Sequence, residues 1–267
     1  MPYLKFTFLI KELPLDLSSQ DIEALIAFIS GPQPRVFQDG EWGSLVNDIE
    51  ECLTVQTVPS EKVAHALIAI YRDETKIQMQ RDYALQHIGG FLIYLIHTSK
   101  SDINNHPSTI INPSSPQSPI PNLQSLLLSE LKSAAADTSK PWSGTALNLL
   151  DGCLRAADYR TVEIPGLDPG TLSALSIAAF QNPSAPLNAR IPALQVAARH
   201  NSQEALSAAR AILADPSSPL MLVQSSAAVV SQLGSKDDLP LLNSRLAANE
   251  KHARFALTEA IQNLSRN

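Results

Sequence analysis

Apolar residues recur at steps of three and four along most of the chain, which predicts amphipathic helices joined by short turns. The first ten residues are the exception. Tyr3 to Ile10 is rich in aromatic and branched residues and is expected to be extended, covering the first helices. Ser18 and Asp21 then stand at capping-box spacing, followed by Ile22, Leu25, Ile26 and Ile29 on one face, and Gly31-Pro32 stops that helix. Gln33 to Gly40 reads as a loop, and Leu45, Ile49, Cys52 and Leu53 mark a second helix. Pro59-Ser60 opens a third with the stripe Val63, Leu67, Ile70 and Tyr71, ending at the turn Asp73-Glu74-Thr75-Lys76. The longest helix is expected from Gln78 to about Ile96.

Between Thr98 and Pro121 the periodicity disappears. Five prolines, six serines and three asparagines fill these 24 residues, a composition expected of a flexible insertion. Helical pattern resumes with Leu123, Leu126, Leu127 and Leu131, then Ala146, Leu149, Leu150 and Cys153. Asp168 is placed to cap a helix with Pro169 at its first position. Asn201 with Glu204, and Ser235 with Asp238, are further expected caps, and Gly234 is an expected stop.

One pattern is written twice. Asn182-Pro183-Ser184-Ala185-Pro186-Leu187 returns 33 residues later as Asp215-Pro216-Ser217-Ser218-Pro219-Leu220, and Asp137 to Trp142 is a looser copy. Each copy links two helical runs, which is the punctuation of a helical repeat that buries its core by stacking neighbours. The turn residues Asp73, Asp137, Asn182, Asp215 and Asn249, with Arg81, Arg190 and Arg254 early in the following helices, resemble HEAT repeats. The resemblance implies a polar ladder between neighbouring turns and a concave binding face lined by the second helices. Thr145 and Val223 stand where two of the ladder's basic residues are expected. The expected fold is all-α, a right-handed HEAT-like solenoid of about six antiparallel helix pairs. Its expected organisation is N-terminal repeats over 1–97, the insertion over 98–121, and C-terminal repeats over 122–267, as one continuous solenoid.

Composition narrows the function classes. The net charge of −6 argues against general nucleic-acid binding, which rests on clustered Lys and Arg. No apolar run approaches the 18 residues of a membrane span. Met1 to Ile10 is too short for a signal peptide and is broken by Lys5, so a cytosolic protein is expected if Met1 is the natural start. An exported protein without its leader would read the same. Cys52 and Cys153 show no CxxC spacing, and both fall on apolar faces, as small buried hydrophobes do.

The candidate surface lies on the Arg81-to-His97 helix. Tyr83, His87, Gly90, Tyr94 and His97 fall at steps of four, three, four and three, on one face. The sharper reading is a polar-aromatic strip holding a peptide or small ligand, with the glycine allowing close approach. The plainer one is that these residues edge the core and bond to an adjacent repeat. Arg81-Asp82 reads in the same two ways, as a ligand grip or as part of the ladder. Trp42 and Trp142 at helix starts are expected to pack under the following turns. His65, His106, His200 and His252 have no partner at catalytic or metal spacing.

The functional expectation is a non-enzymatic scaffold that binds a protein or peptide partner through Arg81, Tyr83, His87, Tyr94, Arg190 and Arg254. No cofactor, metal or catalytic group is expected. Families similar in fold supply two enzyme alternatives, a DNA glycosylase for alkylated bases and a bilin lyase. A third alternative is that the array is a fragment or cap of a larger assembly.

Overall fold

The computed structural model describes residues 2–98, 119–248 and 252–266. It is all-α: thirteen α-helices and one 3-10 turn stand among the described residues, and no strand does. They are α1 (Pro2–Lys11), α2 (Ser19–Ser30), α3 (Asp39–Thr54), α4 (Glu61–Arg72), α5 (Gln78–Thr98), α6 (Pro119–Ala136) and α7 (Ser143–Arg160). There follow α8 (Pro169–Gln181), α9 (Leu187–Arg199), α10 (Gln203–Ala214), α11 (Leu220–Leu233), α12 (Leu239–Ala247) and α13 (Arg254–Arg266). From α2 onward they form six consecutive pairs. Residues 99–118, most of the expected insertion, and Asn249 of the ladder lie outside the described residues.

The N-terminal segment corrects the sequence reading. Pro2 to Lys11 is a helix, not an extended strip, and packs on α3. Branched and aromatic residues carry only a few tenths of a kcal/mol of helix penalty each, which tertiary packing overrides.

The chain divides into two compact units, Met1–Leu131 with Gly152–Pro165, and Lys132–Asp151 with Gly166–Asn267. Each is built as a helical solenoid. In the first, α2 packs on α4 and α3 on α5. In the second, α10 packs on α12, α9 on α11 and α11 on α13, so that first helices stack on first helices and second on second. The cores are aliphatic, with Leu85, Ile88, Leu92 and Leu95 of α5 fully buried in the first and Leu194, Val196, Val223 and Val230 in the second. Trp42 is buried at the start of α3, with its ring stacked on Phe37 at 5.8 Å and edge-on to Phe28 at 5.2 Å.

Helix ends follow the expected local chemistry. Ser18 Oγ accepts from Asp21 N at 3.2 Å, and Asp168 Oδ1 from Thr171 N at 2.9 Å. The Ser235–Asp238 box closes with Asp238 Oδ2 accepting from Ser235 N at 3.0 Å, and opens a 3-10 turn before α12. One cap shifts by a residue. Ser202, not Asn201, caps α10, because Asn201 takes a left-handed φ of 56° in the preceding turn.

The repeated turn is one device used four times. The N–H of Lys76, Lys140, Ala185 and Ser218 donates to the carbonyl three residues back, on Asp73, Asp137, Asn182 and Asp215, at 3.1 to 3.2 Å. Asp73 Oδ1 accepts from Thr75 N at 2.9 Å and Thr75 Oγ1 at 2.7 Å, and Asp215 Oδ1 takes the same two bonds from Ser217. This is why an acid or amide comes first and a hydroxyl third. Proline at the fifth position is not needed, as Ile77 shows.

Candidate functional site

Arg81 and Arg190 hold equivalent places. Each is eight residues past its turn acid or amide, and its Nε donates to the carbonyl two residues before that turn: Tyr71 O at 2.9 Å and Phe180 O at 3.3 Å. The guanidinium thus bonds to a carbonyl in the last turn of the preceding helix. Lys76 does similar work across repeats, donating to Ser30 O at 2.9 Å and Gly31 O at 2.7 Å. A turn-to-turn rung joins Asn182 Nδ2 to Thr138 Oγ1 at 2.8 Å.

The strip on α5 comes together as a face, but its polar ends are turned toward α3. His87 Nε2 lies 3.1 Å from Asn47 Oδ1, and the Tyr94 hydroxyl donates to Gln56 O at 3.2 Å. Tyr83 is half-buried, while Gln86 is exposed. Gly90 is exposed too, and a Cβ there would meet nothing within 4 Å. At the helix end His97 sits edge-on to Tyr159, with ring centroids 6.5 Å apart, and its carbonyl accepts from Arg160. The strip is therefore anchored by the neighbouring helix and open above Gly90.

Beneath it is an acid that the sequence reading passed over. Glu50 on α3 is fully buried, neither carboxyl oxygen accepts a hydrogen bond, and Oε2 lies 3.9 Å from His87 Nε2. Burial pushes the Glu50 carboxyl well above its ordinary range and pulls His87 down to about 4, against a smaller opposing pull from its bond to Asn47. Burial thus disfavours the charged form of both groups.

The second unit repeats the arrangement with the charges matched. Asn148 and Asp151 on α7 stand at the spacing of Asn47 and Glu50 on α3. Asp151 is buried, with Oδ1 at 2.9 Å from His200 Nε2 and Oδ2 at 3.0 Å from Arg199 Nε, and Arg199 Nη2 donates to Asn148 Oδ1 at 3.0 Å. His200 thus has a close acidic partner that sequence spacing did not reveal. Further along, Gln232 Nε2 donates to Ala198 O at 3.1 Å and Asn263 Nδ2 to Ser231 Oγ at 3.0 Å. Polar side chains stitch second helix to second helix through both units.

The predicted residues therefore fall into separate groups. Arg81, Tyr83, His87 and Tyr94 share one helix of the first unit, whereas Arg190 and Arg254 belong to the second. Arg254 is exposed at the start of α13. Neither thiol is primed for attack: burial raises Cys153 to about 12, and burial with the neighbouring Glu51 charge raises Cys52. Among the described residues no three His, Cys, Asp or Glu side chains gather to hold a metal ion, and no helix is long and apolar enough to cross a membrane.

No protein-family model matches the chain, and no curated protein sequence does. A solved structure of human deoxyhypusine hydroxylase in complex with glycerol is similar to it, with 12% identity over 93% of this chain and 97% of that one. The TM-score is 0.38, and at that value the likeness carries no argument about fold or activity.

Proposed function

We propose that the chain is a HEAT-like repeat protein that acts without catalysis, binding a protein or peptide partner on the face of its second helices. The observation that carries this reading is the state of the groups on α5. Tyr94 and His87 are held from below by Gln56 and Asn47, while the surface above Gly90 is open. Side chains already fixed in one rotamer lose little freedom when a partner settles on them, and rigid aromatic groups are the usual anchors of interfaces. The HEAT-like assignment is supported by the turn device and by the arginines that reach back to the helix end. Arg254 offers an exposed cation on a second helix of the other unit.

The glycosylase alternative needs a cationic channel. Against it, Arg81 and Arg190 donate to helix-end carbonyls, and the residues of the first unit include seventeen Asp and Glu against ten Lys and Arg. The bilin alternative needs a reactive thiol, and both cysteines are shifted the other way.

Gly90→Arg tests the reading. The site is exposed with empty space above it, so the fold tolerates the change while the face is blocked. A protein captured from the native lysate by the wild type should be lost by roughly tenfold or more with Gly90→Arg, about 1.4 kcal/mol of binding. Equal capture by both chains, matched for circular dichroism, rejects this face.

A further inference from the structure

We infer that the first unit carries a second docking surface, a groove beside the α1–α2 connection that takes a cationic amphipathic segment of a partner protein. The groove meets the α5 face at Gln56, whose carbonyl accepts from the Tyr94 hydroxyl. It consists of two open clefts of about 600 and 350 Å³ that share Leu15 as their common wall.

The connection is held rather than loose. Gln56 Oε1 accepts from Leu17 N at 2.9 Å, and its Nε2 donates to Cys52 O at 2.8 Å and to Pro14 O at 3.3 Å. Thr57 N and Thr57 Oγ1 both donate to Leu15 O, at 2.8 and 2.9 Å. Four hydrogen bonds therefore hold the stretch around Leu15, which is nevertheless 58% exposed. Val55 lines the smaller cleft and Val58, 75% exposed, the larger. A backbone fixed this firmly around exposed aliphatic side chains presents a preformed apolar surface.

The rim settles the class of occupant. Asp48 and Glu51 border the smaller cleft, Asp16 and Glu61 the larger. The lysines of the lining are Lys11 and Lys62, and Lys62 is paired with Glu23. The excess of acid runs through the whole unit, with ten cationic residues against seventeen acidic ones, whereas the second unit has ten against nine. An apolar floor with acidic edges complements a helix whose leucine-like side chains fill the two clefts and whose Lys or Arg side chains meet the carboxylates. The same rim repels anionic lipid and acidic segments.

The probe is a labelled synthetic peptide of about 14 residues, leucine and lysine in amphipathic-helix order, titrated into the full chain by fluorescence anisotropy. A leucine–glutamate peptide in the same order is the control. Wild type should bind the lysine peptide and not its glutamate counterpart. Leu15→Asp, and separately Asp48→Lys with Glu51→Lys, should each weaken binding about tenfold or more. Glu74→Lys, which removes an exposed acid on another turn, and Gly90→Arg should leave it unchanged. If the three variants that add positive charge all weaken binding while Leu15→Asp does not, the peptide is reading net charge and the groove is not its site. If the lysine peptide fails to bind while light scattering shows a concentration-dependent mass that Leu15→Asp abolishes, the groove's occupant is a second copy of the chain. Failure of both peptide and self-association overturns the surface.

Discussion

The imidazole of His87 stands 3.9 Å from the buried carboxyl of Glu50, across the joint between α3 and α5, and burial disfavours the charged form of each. Their effects on stability run in opposite directions. His87, pulled down to about 4 from 6.5, favours the fold fully above pH 6.5 and loses that contribution as pH falls toward 4. Glu50, raised above 4.5, favours the fold at low pH and loses that contribution as pH rises through its folded value.

Glu50→Gln should therefore stabilise the chain more and more as pH rises from about 5 to 8, because the amide has no ionised form to desolvate. Urea titrations of wild type and variant across that range check it. Parallel curves would show that Glu50 is not protonated on folding.

The turn carboxylates behave in the ordinary way for hydrogen-bonded acids. Asp73 is held below its usual range first by the Thr75 hydroxyl and then by the Thr75 N–H, and Asp215 likewise by Ser217. Their stabilising contribution is present above the unfolded value and is lost as pH falls through the folded one. Thr75→Val should move the Asp73 carboxyl upward in a carbon-detected NMR titration and leave Asp215 where it was. A shared shift, or none, would show that the bond to Thr75 is not what lowers it.

Two glycines should respond to alanine with opposite signs. A Cβ on Gly144 would lie 2.3 Å from Asn188 O and 3.1 Å from Ala189 Cα, both backbone atoms of the neighbouring chain segment, so Gly144→Ala should cost about 1–3 kcal/mol. Gly90 meets nothing, and Gly90→Ala should gain about 0.5–1 kcal/mol of helix propensity. Denaturant unfolding of the two variants reads both signs.

Asp151 is buried against His200 and Arg199, so removal of one partner leaves a charge poorly compensated. His200→Ala should destabilise by about 1–3 kcal/mol. Adding Asp151→Ala should recover part of that loss, which a double-mutant cycle measures. Additive losses would mean that the two side chains do not act together.

The helices were legible because each carries its own period and caps: Ile22 to Ile29, Ser18 with Asp21, Asp168 before Pro169. The turn recurs with identical bonds even where Ile77 replaces proline, since the acid and the hydroxyl do the work. Tyr3 to Ile10 misled, because a strip of eight residues, all but Lys5 branched or aromatic, has no local signal strong enough to separate helix from strand. The face on α5 was visible as a spacing, but its direction was not. His87 bonds to Asn47, 40 residues back, and Tyr94 to Gln56, 38 back. The Asp151–His200 pair, 49 residues apart, was hidden for the same reason. Contacts between stacked repeats leave no periodic trace in a single sequence.

Site-specific photocrosslinking reads whether a partner docks on α5 in the cell. A benzoylphenylalanine placed at Gln86, exposed on α5, is compared in the native cell with one at Ala24, exposed on the first helix of another pair. A discrete protein adduct is expected from position 86, absent from position 24 and suppressed by Gly90→Arg. An adduct from position 24 alone, or from neither position, would contradict docking on this face.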